Sequence, residues 1–128
     1  MPAYSYDHIH LRSRDPMGTA QYYHKMFDAR IVESIQSDGQ PRIDLDINGL
    51  AVFIAKVSAD AQIEQEPVNP HLGLDHFGLR VDNLDAAYAE LKRRGAEFAV
   101  EPRTIRPGVK IAFVRGPDNV RIELLERS

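Results

Sequence analysis

Asp7-His8-Ile9-His10-Leu11-Arg12 returns as Asp75-His76-Phe77-Gly78-Leu79-Arg80, with Asp, His, Leu and Arg at matching places and an offset of 68 residues. A helix-start signal follows each copy, Asp15-Pro16 in the first and Asp82-Asn83 in the second. A repeat of this kind decides the fold before any single element does, because it says that the chain builds one unit twice.

Working outward from the first copy, residues 6–13 alternate like a strand and residues 17–27 carry Ala20, Tyr23 and Phe27 at helical spacing. Residues 29–36, 42–47 and 50–57 read as three more strands, with Asp38-Gly39 and Asn48-Gly49 as the tight turns between them. The second half repeats the order. Residues 74–81 form a strand, 84–94 a helix closed by Gly95, and 97–101, 110–114 and 120–126 three strands, with Gly116-Pro117-Asp118-Asn119 as the last turn. The expected fold is α+β, a tandem of two βαβββ units at residues 1–57 and 74–128, joined by a linker at 58–73 that carries Pro67 and Pro70. Neither four-stranded sheet can bury its open face alone. Pairing of the units, within one chain or with a second copy, is therefore expected to form a curved trough that serves as a ligand site.

Composition narrows the function. Of 128 residues, 43% are hydrophobic and 27% charged, enough for a packed core. A net charge of −3 argues against a protein that grips a phosphate backbone, so no nucleic-acid partner is expected. The absence of cysteine excludes disulfides, thiolate metal ligands and a cysteine nucleophile. No apolar run approaches the ~18 residues of a membrane span, and the start shows no secretory pattern. A cytoplasmic protein with no membrane partner is the expectation.

His8 and His76 hold equivalent positions on the first strand of each unit. Strand parity puts His8, His10 and Arg12 on one face, and His76, Gly78 and Arg80 on the matching face of the other unit. Glu123 and Glu126 differ by an odd number of positions, so only one faces inward, and Glu123 sits mid-strand between apolar residues. A lone strand histidine is commonly a hydrogen-bonded core residue. Two at repeat-equivalent places, with a mid-strand carboxylate, form a plausible facial metal site with positions open to substrate. His10 is either an acid–base partner for substrate or a group orienting another ligand. Arg12 and Arg80 either anchor an anion or extend to water. His24, on a helix, and His71, in the linker, read as solvated. Asp44 and Asp46 share a strand face and could lend a carboxylate under a different pairing register.

Nearly the whole chain resembles the vicinal oxygen chelate superfamily, which contains glyoxalase I, extradiol dioxygenases, methylmalonyl-CoA epimerase and antibiotic resistance proteins. The resemblance rests on the two Asp-His-x-x-Leu-Arg copies, Tyr22-Tyr23, Gly116-Pro117-Asp118-Asn119 and Ile122-Glu123-Leu124-Leu125-Glu126. It implies that His8, His76 and Glu123 are metal ligands for a divalent ion, Fe2+ in the first place, with Mn2+, Ni2+, Zn2+ or Co2+ as alternatives. It also implies a homodimer. The family's fourth ligand falls at Phe53 when the turns are matched, or at Ala55 by the plain offset, and neither binds a metal. A His-His-Glu set is similar to that of the iron-dependent dioxygenases. The resemblance thus implies an enzyme that chelates a small oxygenated substrate, dioxygenase-like, with Glu123 and His10 as catalytic groups and Phe53, Arg12 and Arg80 lining the pocket. A glyoxalase I-type lyase or epimerase acting through an enediolate is the alternative, and a non-catalytic antibiotic binder a third reading.

Overall fold

Residues 2–128 are described by a computed structural model, and they fall into two units, the first ending at Ile63 and the second beginning at Glu64. In the first, β1 (His8–Ser13) leaves His8, His10 and Arg12 exposed and turns Ile9, Leu11 and Ser13 to the covered side. Helix α1 (Pro16–Phe27) starts where Asp15 accepts the Gly18 N–H at 3.1 Å, with proline in its first turn. It stops at Asp28, whose left-handed φ of 57° ends the helical run. β2 (Arg30–Ile35), β3 (Pro41–Ile47) and β4 (Leu50–Lys56) complete a sheet of order β1-β4-β3-β2, with β1 parallel to β4 and the other pairs antiparallel. α1 lies across this sheet. Ala20, Tyr23 and Met26 on the helix and Leu45, Ile47, Val52 and Ile54 on the strands are its buried residues. Each large side chain among them contributes roughly 1.5–3 kcal/mol by leaving water.

The second unit repeats the plan with β5 (Phe77–Arg80), α2 (Leu84–Arg93), β6 (Glu97–Arg106), β7 (Val109–Arg115) and β8 (Arg121–Arg127) in the order β5-β8-β7-β6. Asn83 caps α2 by accepting the Ala86 N–H at 3.0 Å, and Gly95 takes up a φ of 94° just beyond its end. β7 is buried on both faces. Ala112 and Val114 alternate with Val109, Ile111 and Phe113, which cluster with Val100 and Leu125. The two mixed α+β sheets, each with one helix, are the expected fold.

Most element ends shift by a residue or two from the sequence reading, and three features differ more. β5 is shorter than residues 74–81, so His76 lies just ahead of the strand and not within it. β6 runs on to Arg106 past Pro102, because the ladder to β7 shifts register between Val100 and Arg103 and needs no N–H there. The segment 58–73 is bound at both ends. Arg14 donates to the carbonyls of Ser58, Ala59, Ala61 and Ile63 at 2.7–3.4 Å, and the Glu66 N–H donates to the Asp118 carbonyl at 3.1 Å. Among the described residues no helix is long and apolar enough to cross a membrane.

Candidate functional site

In the second unit the structure brings His76 and Glu123 together. β8 runs parallel to β5 with Glu123 opposite Gly78, one alternation beyond His76. Glu123 Oε1 lies 3.6 Å from His76 Nε2, too long for a hydrogen bond. Gly78 leaves this side open: a Cβ there would meet Glu123 Oε1 at 3.4 Å, an ordinary contact, and a larger side chain would extend toward the carboxylate. Glu126 points the other way and accepts the Leu84 N–H at 2.7 Å, serving the start of α2.

His76 is held from behind. Its Nδ1 donates to Asp75 Oδ2 at 2.8 Å, and that oxygen also accepts from Arg121 Nη1. The Arg121 guanidinium lies 4.2 Å over the Phe113 ring, and Phe113 meets the His76 ring edge-on at 4.9 Å. The His76 hydrogen bond and the Arg121 charge hold the Asp75 carboxyl below its ordinary range, against the opposing effect of desolvation. An ionised Asp75 fixes the Nδ1–H tautomer and leaves the Nε2 lone pair on the Glu123 side.

The first unit repeats part of this arrangement. His8 Nδ1 donates to Asp7 Oδ2 at 2.6 Å, but the Asp7 side chain is 85% exposed. The position equivalent to Arg121 by register is Ala51, opposite His8. The His8 ring stacks on Phe53 at 4.2 Å, and His10 meets the same ring edge-on at 6.1 Å. Register also decides which residue of the first unit is equivalent to Glu123. Phe53 pairs with His10 as Glu123 pairs with Gly78, so Phe53 is the equivalent of Glu123 and Ala55 is not. Arg12, opposite Ala55, and Arg80, opposite Leu125, are exposed at equivalent places further along.

A cavity of about 760 Å³ opens in this unit, and His10, Arg42, Asp44 and Phe53 are among its lining residues. Asp44 lies opposite Phe53 on β3 and accepts from Arg42 Nε at 2.6 Å. The remaining histidines stand elsewhere. His24 donates to the Ala29 carbonyl at 2.9 Å, and His71 is bound within the 66–74 segment.

The sequence reading did not single out Asp75, Arg121, Arg42 or Phe113, which touch the candidate residues or their partners. Asp7 and Asp75 carried a signal, since both stand in the repeated motif directly before a histidine. Arg121 carried none, because its partner lies 46 positions away.

Tested against a divalent ion, the residues fit in part. With bonds of ~2.1 Å, adjacent donors on one ion stand roughly 3–3.4 Å apart, so the His76–Glu123 gap needs to close by only a few tenths. Among the described residues no three or more His, Asp or Glu side chains gather around one such point.

The fold recurs among solved structures. A glyoxalase/bleomycin resistance protein/dioxygenase domain from Frankia sp. EAN1pec matches with a TM-score of 0.77 at 19% identity, over 99% of this chain and 100% of that one. A glyoxalase family protein from Enterococcus faecalis matches at 0.72 and 23% identity, over 95% and 97%. A third, a glyoxalase/bleomycin resistance protein/dioxygenase from Alicyclobacillus acidocaldarius, gives 0.69 and 18%, over 96% and 91%. In sequence, 56 residues are 38% identical to a probable chloroplastic lactoylglutathione lyase of Arabidopsis thaliana, a match covering 43% of this chain and 16% of that protein. The family model of the Glyoxalase/Bleomycin resistance protein/Dioxygenase superfamily matches residues 5–124. With two sheets of one plan, a histidine at the start of each and that match along nearly its whole length, the chain belongs to the glyoxalase/bleomycin resistance protein/dioxygenase superfamily.

Proposed function

We propose that the protein is a metal-dependent enzyme in which His8, His76 and Glu123 hold one divalent ion that chelates two vicinal oxygens of a small substrate. The observation that carries this reading is the His76–Glu123 pair, with the Nε2 lone pair freed by Asp75 and Gly78 opposite the carboxylate. The bound ion, Fe2+ in the first place, would supply Lewis-acid polarisation and, with iron, oxygen activation. The chain's own residues do the rest. Asp75 and Arg121 orient His76, Phe53 presents an apolar wall against His8, and His10 stands beside that wall to exchange a proton with substrate. Arg12 and Arg80 receive a distal anionic group.

With Phe53 where a fourth ligand would stand, the chain would offer an ion three donors and leave room for a bidentate substrate and oxygen. That favours a dioxygenase-like reaction. The local similarity to a probable lactoylglutathione lyase supports a second reading, a lyase or epimerase in which Glu123 moves the proton. Oxygen uptake and anaerobic isomerisation of a hemithioacetal, both on metal-loaded protein, separate the two. Efficient anaerobic isomerisation would contradict the dioxygenase reading.

A further inference from the structure

We propose that Arg42 and Asp44 are positioning residues for His8. Asp44 pins Arg42, Arg42 closes the outer face of the Phe53 ring, and that ring sets the plane of the His8 imidazole. All four residues belong to the first unit. The bearing on function rests on His8 serving as a metal ligand, as in the proposed function.

A ligand histidine has to be fixed in plane as well as in tautomer, because the donating lone pair lies in the plane of the ring. In the second unit one network does both. Asp75 Oδ2 takes the His76 Nδ1–H and the Arg121 guanidinium together, and Arg121 covers the Phe113 ring against which His76 packs. His8 lacks the first half of that device. Asp7 accepts its Nδ1–H at 2.6 Å but is 85% exposed, and water competes for an exposed carboxylate. Ala51 holds the place of Arg121 and offers Asp7 no guanidinium.

The first unit supplies its arginine from another strand. β4 lies between β1 and β3, so Phe53 has His8 on one side and Arg42 on the other. The His8 ring stacks on Phe53 with centroids 4.2 Å apart and planes 27° from parallel, and the Arg42 guanidinium carbon lies 4.7 Å from the same centroid. A ring covered on both faces cannot tip without losing one contact or the other. Arg42 is itself tied down. Its Nε donates to Asp44 Oδ2 at 2.6 Å, a charge-assisted bond, and the Asp44 side chain is only 15% exposed. His10 stands edge-on to both the Phe53 and the His8 rings, at 6.1 Å from each. Each candidate ligand histidine thus packs on a phenylalanine that an aspartate-held arginine covers.

The test is NMR of the isotope-labelled, metal-free full chain, comparing the parent with Arg42→Ala, Arg42→Lys and Asp44→Ala. In the parent the His8 ring protons should be shifted upfield by the Phe53 ring current, with cross-relaxation between the two rings. Both alanine variants should move those protons toward their free positions and weaken the cross-relaxation. Arg42→Lys keeps a cation on a long stem without the planar fork, and should recover part of the effect. The His24 ring, on α1 and bonded to the Ala29 carbonyl, is the control and should not move. Co2+ affinity, titrated on the same proteins, should fall about two- to tenfold in the alanine variants, the scale of one aromatic contact. Unmoved His8 protons in both alanine variants overturn the positioning role, whatever happens to the melting temperature. Moved protons with unchanged Co2+ affinity uphold the positioning role and contradict His8 as a ligand, so the two readings fail separately.

Discussion

At the scale of the residue, the two histidines are unequal. His76 is backed by Asp75, Arg121 and Phe113, while His8 stands beside an exposed aspartate, the stacked Phe53 ring and the edge of His10. Replacing Asp75 with Asn should therefore weaken divalent-metal binding by about 10–100-fold, the usual cost of losing a histidine's outer partner. Isothermal titration with Co2+ measures this, and the 15N shifts of His76 report whether its tautomer is released. Asp7→Asn should cost less. Phe53→Glu would add a carboxylate beside His8. Metal binding should tighten and oxygen uptake fall, while hemithioacetal isomerisation should hold or improve, read from parallel assays of the parent and this variant. The histidines were legible because the repeat put them in register. Phe53 against Ala55 was not, because the halves are offset by 68 residues at the first strand and by 70 at the last. Only the observed pairing of Phe53 with His10 decides it.

At the scale of the element, alternation and helical spacing marked all eight strands and both helices, and the misses have local causes. Pro102 reads as a strand end in sequence, but the register shift beside it leaves β6 intact to a turn where Gly108 takes a φ of 78°. The prolines of 58–73 suggested a free linker, yet the segment is tied down by a long-range arginine and by the turn around Asp118. Arg14→Ala should cost about 1–2 kcal/mol, less than its bond count suggests because the site is exposed. It should also open residues 58–63 to limited proteolysis. His71 gives a pH test. The carbonyls of Asn69 and Leu74, then the charge of Glu66, raise its pKa above the ordinary value of 6.5. A raised value means that the stabilisation is full below 6.5 and is lost as pH rises through the folded value. Amide exchange in residues 66–74 should therefore quicken from pH 6 to 9 beyond its intrinsic rise, and His71→Asn should remove that excess.

At the scale of the whole molecule, both sheets end in open edges, and Tyr4, Leu72 and Leu74 are 93%, 100% and 78% exposed. Together with the family resemblance this supports a homodimer, and a sedimentation mass equal to one chain at micromolar concentration would contradict it. The central claim is that His8, His76 and Glu123 serve one ion, although they stand on two units that each supply an incomplete set. Co2+ titration of the parent, His8→Ala, His76→Ala and Glu123→Gln tests it most directly, with circular dichroism to show that the variants fold. The account predicts one ion per chain for the parent and an affinity loss of at least about tenfold in each variant, near the low end of what one protein ligand contributes. A parent that binds no ion, or a His8→Ala variant that binds it as tightly as the parent, would contradict it.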